Sequence, residues 1–83
     1  MKRIIDNDMP VNITGSQIKK LRTKAGLSQR QLSEKLELQA VYTCRGSISR
    51  IENGQRAVTD IELMAIANAL DVSINMLFST EDE

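Results

Sequence analysis

The chain has 83 residues, which is enough for one small domain with a single hydrophobic core. Hydrophobic residues make up 41% of the sequence but aromatic residues only 2%, so the core must be built from aliphatic side chains. With no histidine and a single cysteine, Cys44, the sequence excludes a Cys/His metal site, an intrachain disulfide and a Ser–His or Cys–His catalytic pair. One proline and four glycines are too few for a turn-rich β-fold, and an all-helical domain is predicted.

The first predicted helix follows an N-terminal arm, residues 1–13, which has no clear helical period and contains the only proline. Thr14 and Gln17 have the spacing of a capping box, so we expect the helix to begin at Thr14. Gly26 is typical of the left-handed position that ends a helix. The apolar residues between these signals fall on one helical face: Ile18, Leu21 and Ala25.

A second helix is predicted immediately after this glycine. Ser28 and Gln31 form another capping box, and Leu32 and Leu36 recur four residues apart, as on the buried face of a helix. The next stretch, residues 38–43, leaves two alternatives open, because it either adds a turn to this helix or forms a loop.

The third predicted helix lies around residues 44–52. Ile48 and Ile51 are its apolar residues, three positions apart, and the pair Asn53-Gly54 is a strong signal for its end. This helix is therefore expected to turn one apolar side inward and a polar side outward.

The last two helices are predicted from the same kinds of signal. Thr59 and Glu62 form a third capping box, Asp71 ends that helix, and Ser73 is expected to cap a short final helix. The residues expected mainly in the core are Ile61, Leu63, Met64 and Ile66, and Ala67 and Leu70 are expected to turn inward as well. The short final helix is expected to run through Ile74, Leu77 and Phe78. An apolar strip left over on these two helices is a candidate seam for a dimer.

The net charge is zero, but the charges are unevenly distributed along the chain. Residues 14–56 carry nine Lys and Arg against three acidic residues, a sum of +6, whereas residues 57–83 carry six acidic residues and no base. This asymmetry is expected when one face of a protein meets a polyanion, although a dipolar solvated surface gives the same pattern. Charge alone leaves both interpretations open.

Three segments together resemble the Cro/C1-type (XRE-family) helix-turn-helix domain of phage and bacterial repressors. They are IKKLRTKAGLSQRQLSEKL, SISRIENGQR and IELMAIANALDVSINMLF, in the order and spacing of that family. The resemblance implies a compact, all-α, five-helix, lambda-repressor-like domain over residues 14–78, between the arm, 1–13, and an acidic flexible tail, 79–83. It also implies DNA binding, with the helix around 44–52 in the major groove.

The resemblance assigns roles to individual positions. The positions that read base edges are Arg45, Gly46, Ser47, Ser49 and Arg50. The positions that contact phosphates are Gln29, Arg30, Asn53, Gly54, Gln55 and Arg56. Arg22 and Glu52 match a structural salt bridge between the first and third helices, and Cys44 stands where the family often has a serine cap.

The spacing departs from the family pattern between Leu36 and Ile48, where twelve steps replace about seven. This leaves the start of the recognition helix open by about two to four residues and makes Thr43 an additional candidate for a base contact. Tyr42 either packs on the core or stacks on a sugar or base. Gly46 either allows close approach to DNA or weakens the helix by about 1 kcal/mol.

We therefore expect a sequence-specific DNA-binding transcriptional regulator, a repressor, that binds a double-stranded DNA operator as a homodimer. The alternative is an antitoxin-like or adaptor module that uses the same fold to bind another protein. Neither function involves catalysis, a cofactor, a metal or a small-molecule substrate. No apolar stretch suits a membrane span or a secretory signal, and a lone cysteine suits a reducing compartment, so we expect a cytoplasmic location.

Overall fold

Five α-helices make up the part of the chain that the computed structural model describes, residues 10–79. They are α1 (Gly15–Lys24), α2 (Gln29–Glu37), α3 (Arg45–Glu52), α4 (Asp60–Leu70) and α5 (Ile74–Leu77). The predicted all-α, five-helix class is confirmed. The predicted arm and acidic tail lie mostly outside the described residues. None of the helices within residues 10–79 has both the length and the apolar character needed to cross a bilayer.

The core is aliphatic, as the composition requires. α3 packs against both α1 and α2, while α4 packs against α2 and α5, so that all five helices contribute to one cluster. Burying each large aliphatic side chain contributes about 1.5–3 kcal/mol, which makes this cluster the main source of stability. Its buried members are Ile18, Leu21, Leu32, Leu36, Ile48, Ile51, Ala65, Ile66, Ala67, Leu70 and Leu77.

Several residues expected in the core are exposed instead. Ile61 and Met64, three positions apart, lie on the outer face of α4 and are 68% and 58% exposed, because Ala65 and Ile66 occupy its inner face. Ala25 is exposed because the chain leaves α1 at this residue. In and directly after the four-residue α5, Leu77 is fully buried, whereas Ile74 and Phe78 are exposed.

Two of the predicted capping boxes form. The Gln31 N–H donates to Ser28 Oγ at 3.0 Å, and the Gln31 side chain accepts from the Ser28 N–H at 2.8 Å. Thr59 and Glu62 make the same reciprocal pair at the start of α4. Gly26 has a φ of 78°, so its predicted left-handed position is confirmed too.

The other two predicted caps are wrong, because the side chains named for them make no capping bond. Thr14 has helical backbone angles, φ −98° and ψ −11°, rather than the extended geometry of a capping residue. The start of α1 is instead capped by Asn12, whose Oδ1 accepts from the N–H groups of Thr14 and Gly15 at 3.0 and 2.7 Å. At α5, Ser73 is extended as a cap residue should be, but its hydroxyl accepts no bond.

Asn12 also ties the start of α1 to the end of α3. Its Nδ2 donates to the carbonyls of Ile51 at 3.0 Å and Arg56 at 2.8 Å. The backbones approach closely here, since a Cβ on Gly15 would collide with the Ile51 carbonyl oxygen. A glycine at this place is therefore required by the contact between α1 and α3.

The stretch 38–43 is a loop, and α2 ends at Glu37. Within it Ala40 adopts a left-handed φ of 63°, which is uncommon for a residue with a Cβ. Gln39 fastens the loop to α4, because its Nε2 donates to the Ala65 carbonyl at 2.8 Å and its Oε1 accepts from Asn68 at 3.2 Å. Gln39 therefore holds this loop against α4, and α3 begins at Arg45.

Candidate nucleic-acid interface

The residues assigned to base reading lie on the polar side of α3. Ile48 and Ile51 turn into the core and are each 1% exposed, which leaves the other side of this helix open to solvent. The structure brings five of the six assigned residues together there, of which Arg45, Gly46 and Arg50 are exposed and Ser47 and Ser49 half-buried.

Thr43 is the exception, and its assignment to base reading is wrong. Its side chain is 4% exposed and its hydroxyl donates to Glu62 Oε2 at 3.1 Å, while its carbonyl accepts from the Ser33 hydroxyl at 2.8 Å. The neighbouring Tyr42 is 77% exposed, so it does not pack on the core. Tyr42 thus lies outward between Thr43 and the half-buried Val41.

A short chain of hydrogen bonds links the first two turns of α3. Arg50 Nη2 donates to Ser47 Oγ at 3.2 Å, and the Cys44 thiol lies 3.5 Å from the same oxygen. The hydrogen bond with Ser47 lowers the pKa of the exposed Cys44 thiol, and backbone N–H groups at the start of the helix and the Arg50 charge act in the same direction. These side chains have i, i+3 spacing, which places them on one helical face.

The residues assigned to phosphate contact lie at the start of α2 and in the loop after α3. Gln29 Nε2 donates to Glu52 Oε1 at 3.0 Å, and exposed Arg30 makes a loose ion pair with Glu34. Asn53 and Gln55 are exposed.

The loop after α3 uses two backbone donors internally. Gly54, with a φ of 74°, donates its N–H to the Ile51 carbonyl at 3.0 Å, and the Gln55 N–H donates to the Arg50 carbonyl at 2.7 Å. The family resemblance assigns Gly54 and Gln55 to phosphate contact. These two N–H groups are already engaged, which leaves the side chains of Asn53 and Gln55 for an external partner.

A buried ion pair joins α1 to the last residue of α3. Arg22 Nε donates to Glu52 Oε2 at 2.6 Å and Arg22 Nη2 donates to Glu52 Oε1 at 3.1 Å, with side-chain exposures of 11% and 1%. Arg22 Nη1 also donates to the Leu27 carbonyl at 2.6 Å. Since Gln29 binds the same carboxylate, α1, α2 and α3 meet at one charged group.

A second ion pair stabilises the loop after α3. Arg56 donates through Nη1 and Nη2 to the two Glu62 oxygens at 3.1 and 2.9 Å. Hydrogen bonding to Arg56 lowers the pKa of Glu62 to about 2 against the opposing effect of burial, and bonds from the Thr59 N–H and the Thr43 hydroxyl add to the decrease. The same contact raises the pKa of Arg56. Sequence reasoning assigned Arg56 to phosphate without this partner, because six residues of separation carry no helical pairing signal.

Comparisons with known proteins agree with the fold. A helix-turn-helix family model matches residues 18–77. Control protein C.MunI of Mycoplasma sp. is 35% identical over 74 residues, which are 88% of this chain and 92% of that protein. The crystal structure of the restriction-modification controller protein C.AhdI from Aeromonas hydrophila matches with a TM-score of 0.69 at 32% identity, covering 78% of this chain and 87% of that one.

Removing either partner of the buried Arg22–Glu52 pair is expected to lower the free energy of unfolding by about 3–5 kcal/mol, because the remaining charge is left buried without its partner. Arg22→Met with Glu52→Leu should cost clearly less than the sum of the two single variants. A double-mutant cycle from chemical denaturation measures this coupling. The exposed Arg30–Glu34 pair is the matched control and should couple by less than about 0.5 kcal/mol. Equal coupling in the two cycles would contradict a structural role for the buried pair.

Because folding lowers the pKa of Glu62, the free energy of unfolding is expected to depend on pH. Its pKa falls from the ordinary 4.5 to about 2 on folding, so the ionised carboxylate stabilises the fold above about pH 4.5, and this contribution, about 3 kcal/mol, is lost as the pH falls towards 2. Glu62→Gln is expected to be less stable than the parent at pH 7, with a difference that shrinks between pH 5 and about 2.

Urea denaturation at a series of pH values measures this difference. Glu37→Gln, on the exposed surface of α2, is the control and should change the free energy of unfolding by less than about 0.5 kcal/mol. A Glu62→Gln deficit that stays constant with pH would show that the carboxylate charge is not what stabilises this loop.

Proposed function

The chain belongs to the helix-turn-helix family of DNA-binding regulators, and we propose that it acts as a homodimer that binds a DNA operator. In this proposal α3 contacts the bases, and the operator controls restriction-modification genes. The proposed control of restriction-modification genes is inferred from C.AhdI, a restriction-modification controller protein of which the match covers 87%. We assign the chain to the cytoplasm, a reducing compartment that suits its exposed thiol.

The observation that carries the proposal is the charge distribution around α3. Glu52, the last residue of α3, and Glu62 on α4 are each paired with an arginine, Arg22 and Arg56 respectively, and Glu34 on α2 pairs with Arg30. Within residues 10–79, neither Arg45 nor Arg50 forms an ion pair. The exposed side of α3 is therefore positive, and arginine forks there suit the guanine edge in the major groove.

Phosphate contacts follow from the side chains beside α3. We assign them to Gln29 and Arg30 at the N-terminus of α2, and to Asn53 and Gln55 in the loop after α3. Gln29 retains a second amide N–H after its bond to Glu52, so one side chain can connect a phosphate to the buried ion pair. Such contacts fix the register of a protein on the duplex without reading bases.

A homodimer fits both the size of the reading surface and the exposed apolar residues. One α3 covers too few base pairs for genomic specificity, whereas a two-fold dimer reads two half-sites about one helical turn apart. Ile61 and Met64 on α4, and Met76 and Phe78 near the C-terminal end, are large apolar side chains left exposed. We assign the contact with the second copy to these last two helices.

In vitro selection from a random DNA pool, followed by anisotropy titrations at several salt concentrations, tests the proposal. The selected site should contain two related half-sites, and log K should fall steeply with log salt, with a slope of about −0.9 for each phosphate neutralised. Arg45→Ala should lower the preference between sites by about 5- to 150-fold, the value of one arginine–guanine contact. Asn53→Ala should weaken binding to all sequences by similar factors.

Lys24→Ala is the matched control, because it removes an exposed positive charge that lies outside α3 and outside the residues assigned to phosphate contact. It should leave the preference profile unchanged. Binding without sequence preference in the parent protein would contradict operator reading. Absence of DNA binding would favour the antitoxin-like or adaptor module instead.

A further inference from the structure

The side chain of Arg50 extends back along α3, towards the N-terminal end of the helix. Side chains in a helix lean towards its N-terminus, so the long side chain at position 50 lies over the preceding turn. Its Nη2 donates to Ser47 Oγ at 3.2 Å, and its Nη1 lies 3.7 Å from the place that a Cβ on Gly46 would occupy. The guanidinium therefore lies beside the glycine rather than one turn further along.

Internal packing gives no reason for a glycine at position 46. Within residues 10–79, and apart from its chain neighbours and the backbone of its own helix, Gly46 has only Arg50 Nη1 within 4 Å of its missing Cβ, and it is not in the left-handed region. Glycine inside a helix costs about 1 kcal/mol relative to alanine. A Cβ here would stand at an ordinary van der Waals distance from Arg50, whereas a longer side chain would compete with the guanidinium for the space above the first turn.

The side chains of this turn present hydrogen-bond donors. While Cys44 is a thiol, Ser47 Oγ accepts from it and from Arg50, and the Ser47 hydroxyl keeps its own proton to donate. Arg50 keeps its other N–H groups, and Arg45 is exposed beside them. A surface that only donates complements guanine, whose major-groove edge offers two acceptors, O6 and N7.

We propose that Ser47 and Gly46 are positioning residues, which together hold the Arg50 guanidinium over the first turn of α3 so that it reads a guanine facing Gly46. Ser47 holds the guanidinium through its hydroxyl oxygen, and the small residue at position 46 keeps the place beside the guanidinium free of a long side chain. This inference rests on the proposed DNA-binding function, because it names the base and the supporting residues for that interface.

The test compares binding profiles of variants on a library in which each position of the selected site is randomised. Arg50→Lys keeps the positive charge but loses the planar pair of N–H donors. It should therefore lower the guanine preference at one position of each half-site by about fivefold or more. Ser47→Ala should lower the preference at that same position by about two- to tenfold, the value of one hydrogen bond, and leave the other positions unchanged.

Two substitutions at Gly46 distinguish the effect of side-chain size on Arg50 from the effect of glycine on helix stability. Gly46→Ala places a methyl at an ordinary distance from Arg50, so it should keep the guanine preference and raise the melting temperature. Gly46→Leu should displace the guanidinium and lower the same preference as Ser47→Ala does. Ser16→Ala, which removes an exposed hydroxyl from α1, is the control and should change no preference.

The inference is overturned if Ser47→Ala keeps the guanine preference that Arg50→Lys loses, because Arg50 would then read its base without this support. It is also overturned if Gly46→Leu keeps that preference, or if Arg50→Lys changes none. Each of these results leaves the proposed function intact, since the parent protein still binds its site. Loss of DNA binding in the parent would overturn both proposals.

Discussion

The buried carboxylate of Glu52 is the constraint on which the presentation of α3 depends. A carboxylate with a side-chain exposure of 1% costs several kcal/mol unless charged and polar donors surround it. The donors come from two other helices, because Arg22 lies on α1 and Gln29 opens α2. Satisfying one charged group therefore sets the positions of three helices, and the aliphatic core fills the space between them.

The other end of α3 is fixed by a second carboxylate. Glu62 on α4 binds Arg56 in the loop after α3 and Thr43 in the loop before it, so both loops are tied to α4. Asn12 adds bonds from the segment before α1 to the end of α3. The helix that carries the candidate interface is thus held at both ends. Its polar face is therefore fixed in position although the side chains on that face do not pack in the core.

Local patterns in the sequence predicted much of this fold, but they could not predict contacts between segments that are distant in the sequence. The capping boxes at Ser28 and Thr59 formed because each bond joins residues three apart. The Thr14 box did not form, since Asn12 supplies the cap while it bonds a carbonyl 39 residues away, and no local pattern records such a bond. Thr43 was misassigned for the same reason, because its burial depends on Glu62. The roles assigned to α3 and Gln29 came from the family resemblance and stay predictions.

Nuclear magnetic resonance of the isotope-labelled chain, titrated with its selected operator duplex, tests most directly whether the face held in place by Glu52 meets DNA. The account predicts that backbone signals of residues 45–50 and 53–55 shift most, together with the side-chain amide of Gln29. Signals of the buried core, such as Ile66, should keep their positions. Shifts centred on the exposed face of α4 and α5, with α3 unchanged, would contradict the account.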